Sequence, residues 1–142
     1  MRYLASKGWA WKTAALLMLV LCPASWLQAD GNKPEYEHKA RHGGQFGDAD
    51  DLYHYELLLK PQGRLILYVN DERNEPLSVK NLKGRWTIEP DSDHPLSGDF
   101  APSPDGACFM ADLPADLPET FPIKVEVLKG DVWAPMEFSL QN

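Results

Sequence analysis

Cysteine is scarce in this chain of 142 residues, which contains only two. Basic residues are also in the minority, with 14 lysines and arginines against 21 acidic residues and a net charge of −7. Proteins that bind nucleic acid neutralise its phosphates with clustered basic side chains, and this composition does not supply them. Nucleic acid is therefore excluded as an expected partner.

Long apolar runs are absent except near the N-terminus, where residues 13–22 read TAALLMLVLC. Basic residues precede this run and Pro23 follows it, an order that is typical of an export signal. A membrane-spanning helix needs about 20 continuous apolar residues, and Pro23 interrupts this run too early. We expect residues 1–29 to be a signal peptide cleaved after Ala29, or alternatively after Ala24. The mature protein would be periplasmic or secreted, without a membrane span.

Cleavage after Ala29 would leave the mature chain with fewer basic residues and only one cysteine. The signal carries three of the 14 basic residues and no acidic one, which leaves 11 against 21 and a net charge of −10. Cys22 would leave with the signal, so the mature chain could form no internal disulfide. Cys108 would remain as a single thiol.

Catalytic motifs are missing as well. No serine has the flanking glycines of a nucleophile elbow, and there is neither a glycine-rich phosphate loop nor the paired histidines of a zinc-protease helix. The acidic residues are scattered through turn-like segments, where aspartate serves backbone hydrogen bonding. We expect the protein not to be an enzyme.

The mature chain instead shows short stretches of β-forming residues separated by turn residues, and no apolar 3.6-residue period persists beyond the signal. This pattern predicts a small antiparallel β-sandwich over residues 52–142, nearly without helix. Residues 30–51 are polar and glycine-rich and are expected to form a flexible arm. Residues 90–104 contain too many prolines for a central strand and are expected to wrap the sandwich as a loop. The predicted strands are 53–60, 64–70, 77–79, 84–89, 107–113, 121–129 and 132–140.

Alternation within these strands predicts which side chains face the core. One side of the first strand carries His54, Glu56 and Leu58. The opposite side carries Tyr55, Leu57 and Leu59. The residues expected to face the core elsewhere are Leu65, Leu67, Val69, Trp86, Ile88, Ile123, Val125 and Val127.

Histidines are the candidates for metal ligands. His54 and Glu56 share a strand face, and His42 in the arm could add a second imidazole. Imidazole binds copper and zinc well, and a carboxylate can complete the site or orient a ring. His38 stands four residues before His42 and is a further candidate. The plainer interpretation makes His54 and Glu56 the polar face of a half-buried strand.

Cys108 and Met110 form a second pair on one strand face. A thiolate and a thioether are soft ligands suited to Cu(I). Both residue types are also common in protein cores, where they bind nothing. Cys108 and Met110 are therefore additional metal candidates or core residues, and the two interpretations stay open.

Three short motifs occur in a fixed order: His42-Gly43-Gly44, the strand 53–57 (YHYEL) and the strand 65–71 (LILYVND). This HGG … HxEL … LYVxD pattern resembles small exported domains associated with bacterial heavy-metal efflux and metal handling. The resemblance covers roughly residues 42–89 and implies an immunoglobulin-like sandwich. It also implies His42, His54 and Glu56 as the positions for metal binding.

The sequence thus predicts a periplasmic, non-enzymatic protein that binds a transition metal, copper ahead of zinc, or assists a metal-efflux assembly. The alternative is an envelope protein-interaction or assembly module that binds no metal. A metal titration separates the two.

Overall fold

The described residues form nine β-strands and no α-helix. They are residues 39–50, 52–89 and 94–142 of a computed structural model of the chain. All strand pairs are antiparallel, and they build two sheets, which confirms the predicted β-sandwich. In chain order the strands are β1 (Gln45–Ala49), β2 (Tyr53–Lys60), β3 (Arg64–Asn70), β4 (Gly84–Ile88), β5 (Leu96–Asp99), β6 (Ala101–Pro102), β7 (Phe109–Asp112), β8 (Thr120–Lys129) and β9 (Val132–Gln141).

The hydrophobic core lies between a five-stranded sheet, in the order β1-β2-β3-β7-β6, and a four-stranded sheet, in the order β5-β4-β8-β9. All eight side chains predicted to face the core from strands β3, β4 and β8 are buried. Full burial of one such aliphatic side chain contributes about 1.5–3 kcal/mol. Tyr55 also connects the two sheets, because its buried hydroxyl donates a hydrogen bond of 2.8 Å to the carbonyl of Ala134.

Two segments expected to lack regular structure contribute strands at sheet edges. Strand β1 lies within the segment 30–51 that was predicted to be an arm, and it pairs with β2 along its whole length. Its sequence QFGDA contains one β-former, Phe46, beside glycine and aspartate, so no strand pattern is visible. Strands β5 and β6 lie within the predicted loop 90–104. Pro102 is tolerated in β6 because an edge strand does not need every backbone donor.

The prediction of a strand at residues 77–79 is wrong. The Leu77 N–H bonds to the carbonyl of Val69, whereas the Val79 N–H bonds to the carbonyl of Gly106. Because its backbone groups bond to β3 at one end and to the loop before β7 at the other, this stretch does not extend one ladder.

The turn between β2 and β3 fixes the register that matters for the site. Residues Pro61–Gly63 form a single 3₁₀ turn, and Gln62 and Gly63 both have positive φ. Lys60 therefore faces Arg64 across the hairpin. The same register places Glu56 beside Tyr68 and His54 beside Asn70.

All nine strands belong to one unit, residues 34–142. The other unit, residues 1–33, lies outside the described residues, and so does the predicted signal peptide with its cleavage sites. In the described part of the chain, no helix is long and apolar enough to cross a membrane.

Candidate functional site

A buried carboxylate is the centre of the candidate site. Glu56 lies on β2, on the sheet face that points away from the core, yet only 1% of its surface is exposed. Its Oε1 accepts hydrogen bonds from the backbone N–H groups of His42 (2.6 Å) and Gly44 (2.8 Å). Its Oε2 accepts one from the backbone N–H of Arg41 (2.8 Å) and lies 2.9 Å from Nδ1 of the His42 ring. Four donors thus surround one carboxylate.

Glycines allow the segment 41–44 to fold over Glu56. Gly43 has a φ of 81°, a left-handed conformation that side chains disfavour. Gly44 passes so close to β2 that a Cβ atom there would lie 2.6 Å from the carbonyl oxygen of Leu57. The Arg41 guanidinium adds a hydrogen bond of 2.7 Å to the carbonyl of Asn74. We call residues 41–44 the clasp.

The clasp keeps Glu56 ionised. Burial by itself raises the pKa of this carboxyl group, but the hydrogen bonds from Gly44, from the His42 ring and from the Arg41 and His42 backbone together lower the pKa below its ordinary value. An ionised carboxylate only accepts hydrogen bonds, so Nδ1 of His42 must carry the proton between them. In the neutral ring Nε2 then has the free lone pair that a metal ion requires.

Stacking fixes the plane of the His42 ring. Its centroid lies 3.7 Å from that of the Tyr68 ring, and the two planes differ by 6°. About 42% of the His42 side chain remains exposed. A pocket of about 310 Å³ lies beside the stacked rings, with Pro76, Leu77 and Asp105 among its lining residues. Burial, followed by the nearby Cys108, Glu56 and Asp105, raises the pKa of the Tyr68 hydroxyl, which keeps it neutral.

His54 has a different environment from His42. It is 2% exposed, its Nδ1 lies 2.9 Å from the carbonyl oxygen of Asp71, and its Nε2 lies 3.6 Å from a carboxylate oxygen of Asp48. The Phe46 ring packs against it at 5.5 Å. Because a carbonyl oxygen only accepts, Nδ1 of His54 donates to it. Burial, and not this hydrogen bond, distinguishes His54 from the exposed His42 and favours a packing role for His54.

The remaining predicted ligands are spread over the fold. Cys108 is a buried free thiol just before β7, and Met110 lies on β7. Because β3 separates β7 from β2, the strand that carries Met110 does not adjoin the strand that carries His54. His38 lies outside the described residues.

The structure brings His42 and Glu56 into contact but does not assemble a closed metal site. Among residues 39–50, 52–89 and 94–142, no group of three or more His, Cys, Asp or Glu side chains is placed to hold a metal ion. His42, His54 and Glu56 therefore do not form a common three-ligand cluster.

Tyr68 and Arg41 are site residues that the sequence analysis did not single out. Tyr68 could have been found, since a hairpin closed at residues 61–63 places it opposite Glu56. Arg41 gives no such signal, because its backbone and side-chain partners are 15 and 33 positions away in the chain.

No family model, no curated protein and no solved structure matches this chain.

Proposed function

We propose that this is an exported, non-enzymatic protein that binds one transition-metal ion through Nε2 of His42, or assists a metal-efflux assembly by doing so. The observation that carries the proposal is the contact of 2.9 Å between Nδ1 of His42 and the ionised Glu56. A carboxylate that holds the far nitrogen of an imidazole fixes the ring and raises its basicity, as it does for many metal-binding histidines.

Glu56 orients the ligand in this proposal and does not bind the metal. Both of its oxygens already accept two hydrogen bonds each from the clasp. His54 does not bind the metal in this proposal, and it packs against Phe46 and the Asp71 carbonyl instead. The His42 side chain is partly exposed, so an incoming ion can reach its ring.

A single imidazole makes a weak, open site, which suits a protein that passes a metal on rather than storing it. The remaining ligands would come from water, from His38, or from a protein that exchanges the metal. Copper is expected ahead of zinc because copper binds nitrogen ligands more tightly in the divalent series.

Metal titration of the purified protein tests this role. Cu(I), Cu(II) and Zn(II) are each titrated, with a chelating indicator to report the free ion. We expect one site, with an affinity at least about tenfold weaker in His42→Ala, because this variant lacks the imidazole ligand. Glu56→Gln should weaken it about 10–100-fold, the usual cost of losing a partner that orients a metal ligand.

His94→Ala is the matched control, because His94 is exposed and outside the clasp. Its affinity should equal that of the wild type. Unchanged metal affinity in His42→Ala would overturn the proposal. A wild-type protein that binds none of the three ions would instead favour the interaction module without a metal.

A further inference from the structure

The end of β1 leaves part of β2 unpaired within the described residues. The ladder between the two strands stops at the pair Gln45 and Leu57, although β2 continues to Lys60. The clasp is the reason, because the chain leaves the sheet at Gly44 to reach Glu56. Three residues of β2 therefore have a sheet neighbour, β3, on one side only.

The direction of the backbone groups along this edge can be derived. The Leu57 carbonyl oxygen faces Gly44, on the side where β1 lies. Alternate residues of a strand direct their backbone groups to the same side. The N–H and C=O of Leu59 therefore point to the space that β1 would occupy if it were longer.

A second strand edge lies across this space. Strand β9 is at the edge of the four-stranded sheet. The Ser139 carbonyl accepts a hydrogen bond of 2.6 Å from the Gln45 side chain, so it faces β1 rather than β8. By the same alternation, the backbone groups of Gln141 point toward β2.

The two edges border a cleft of about 530 Å³, which we call the edge cleft. Gly43 and Gly44 form part of its wall, and a Cβ atom on Gly43 would meet no other atom within 4 Å. Among residues 39–50, 52–89 and 94–142, no acidic side chain lines the cleft, and Lys60 is the one formally charged lining residue besides the titratable His42. This local charge is opposite to that of the chain, which is −7.

We propose that the edge cleft binds an extended segment of another protein by β-strand addition. Its backbone would pair with Leu59 on one side and Gln141 on the other. At about 3.4 Å per residue, the three-residue edge of β2 accommodates a strand of three to four residues. Lys60 selects an aspartate or glutamate on that segment.

This inference goes beyond the metal site and does not need a metal. The peptide backbone supplies the affinity, and Lys60 supplies the preference for an acidic residue. A lysine on an open edge also discourages unspecific pairing between sheets.

The probe is a decapeptide selected from a random displayed library against the purified wild-type protein with a metal chelator present. We expect the selected peptides to carry Asp or Glu and to protect the amides of Leu59 and Gln141 from hydrogen exchange. The Leu58 amide faces β3 and not the cleft, so it is the internal control. Its exchange rate should not change.

Two pairs of variants locate the peptide. Gln141→Pro removes one edge donor and should weaken binding about fivefold, the value of one net hydrogen bond, whereas Gln141→Ala should not. Lys60→Glu should weaken binding about fivefold, whereas Lys83→Glu, with the same change in net charge, should not. Thermal unfolding of each variant verifies that it folds.

Three results would overturn the proposal. One is a library that yields no binding peptide. Another is a peptide that binds outside the cleft, which protection of other amides or binding unchanged in Gln141→Pro and Lys60→Glu would show. The third is dimerisation of the wild type through the cleft without peptide, which would make a second copy the occupant. The metal titration above is independent of all three.

Discussion

Glu56→Gln should lower the free energy of unfolding by about 2 kcal/mol in urea denaturation, the usual cost of one buried donor left without an acceptor. The amide has nearly the shape of the carboxylate, but its NH₂ group donates where Glu56 accepts. In the place of Oε2 this group would face the Arg41 N–H and the His42 ring. The ring can move its proton to Nε2 and accept at Nδ1, so the Arg41 N–H is the donor that loses its acceptor.

Glu137→Gln is the control, because Glu137 is exposed on β9. It should change the unfolding free energy by less than about 0.5 kcal/mol. Equal stability of Glu56→Gln and the wild type would show that the clasp does not depend on the carboxylate.

Acidification should remove the advantage of the wild type over Glu56→Gln. The folded state lowers the pKa of Glu56, so ionisation stabilises the fold at pH values above the unfolded pKa. That contribution is lost as the pH falls through the lowered pKa of the folded state. The stability difference between the two proteins should therefore be largest near neutral pH and shrink in acid, whereas a constant difference would assign the effect to packing.

Gly44→Ala should lower the free energy of unfolding by about 2–3 kcal/mol, the usual cost of overpacking. The new Cβ atom would lie 2.6 Å from the Leu57 carbonyl oxygen and 2.7 Å from the Leu58 side chain. Because the first of these contacts is with the backbone of β2, a rotamer change cannot relieve it. The clasp would have to lift away from Glu56. Faster hydrogen exchange of the clasp amides should also report this movement.

Gly43→Ala separates this clash from backbone strain. Gly43 has positive φ but open space around its Cβ position, so alanine there should cost only about 1 kcal/mol. Equal losses of unfolding free energy in Gly43→Ala and Gly44→Ala would show that the close approach of Gly44 to β2 does not affect stability.

Alternation and turn chemistry predicted most of the fold. The inward residues of β3 and β8 alternate with outward ones, and burial of the inward set requires that register. The edge strands could not be predicted in the same way. Strand β1 has few β-formers, and its position depends on the ladder with β2 and on the clasp, which are interactions between distant parts of the chain.

The site was only partly visible in the sequence. Two-residue spacing placed His54 and Glu56 on one strand face, and both are on that face. The spacing could not show that Glu56 would accept four hydrogen bonds from the clasp, or that His54 would face the Asp71 carbonyl. Both outcomes depend on where the segment before β1 and the turn after β3 fold over the sheet.

The position of the proton on the His42 ring tests the central claim most directly. Long-range ¹H–¹⁵N NMR spectra of the ring nitrogens can be recorded on the purified protein, first without metal and then with one equivalent of Cu(I) or Zn(II). In the neutral form of the ring we expect the proton on Nδ1, followed by a metal-induced shift of the His42 Nε2 signal while the His54 and His94 signals stay unchanged. A neutral ring with its proton on Nε2, or a metal that leaves His42 unaffected, would contradict the account.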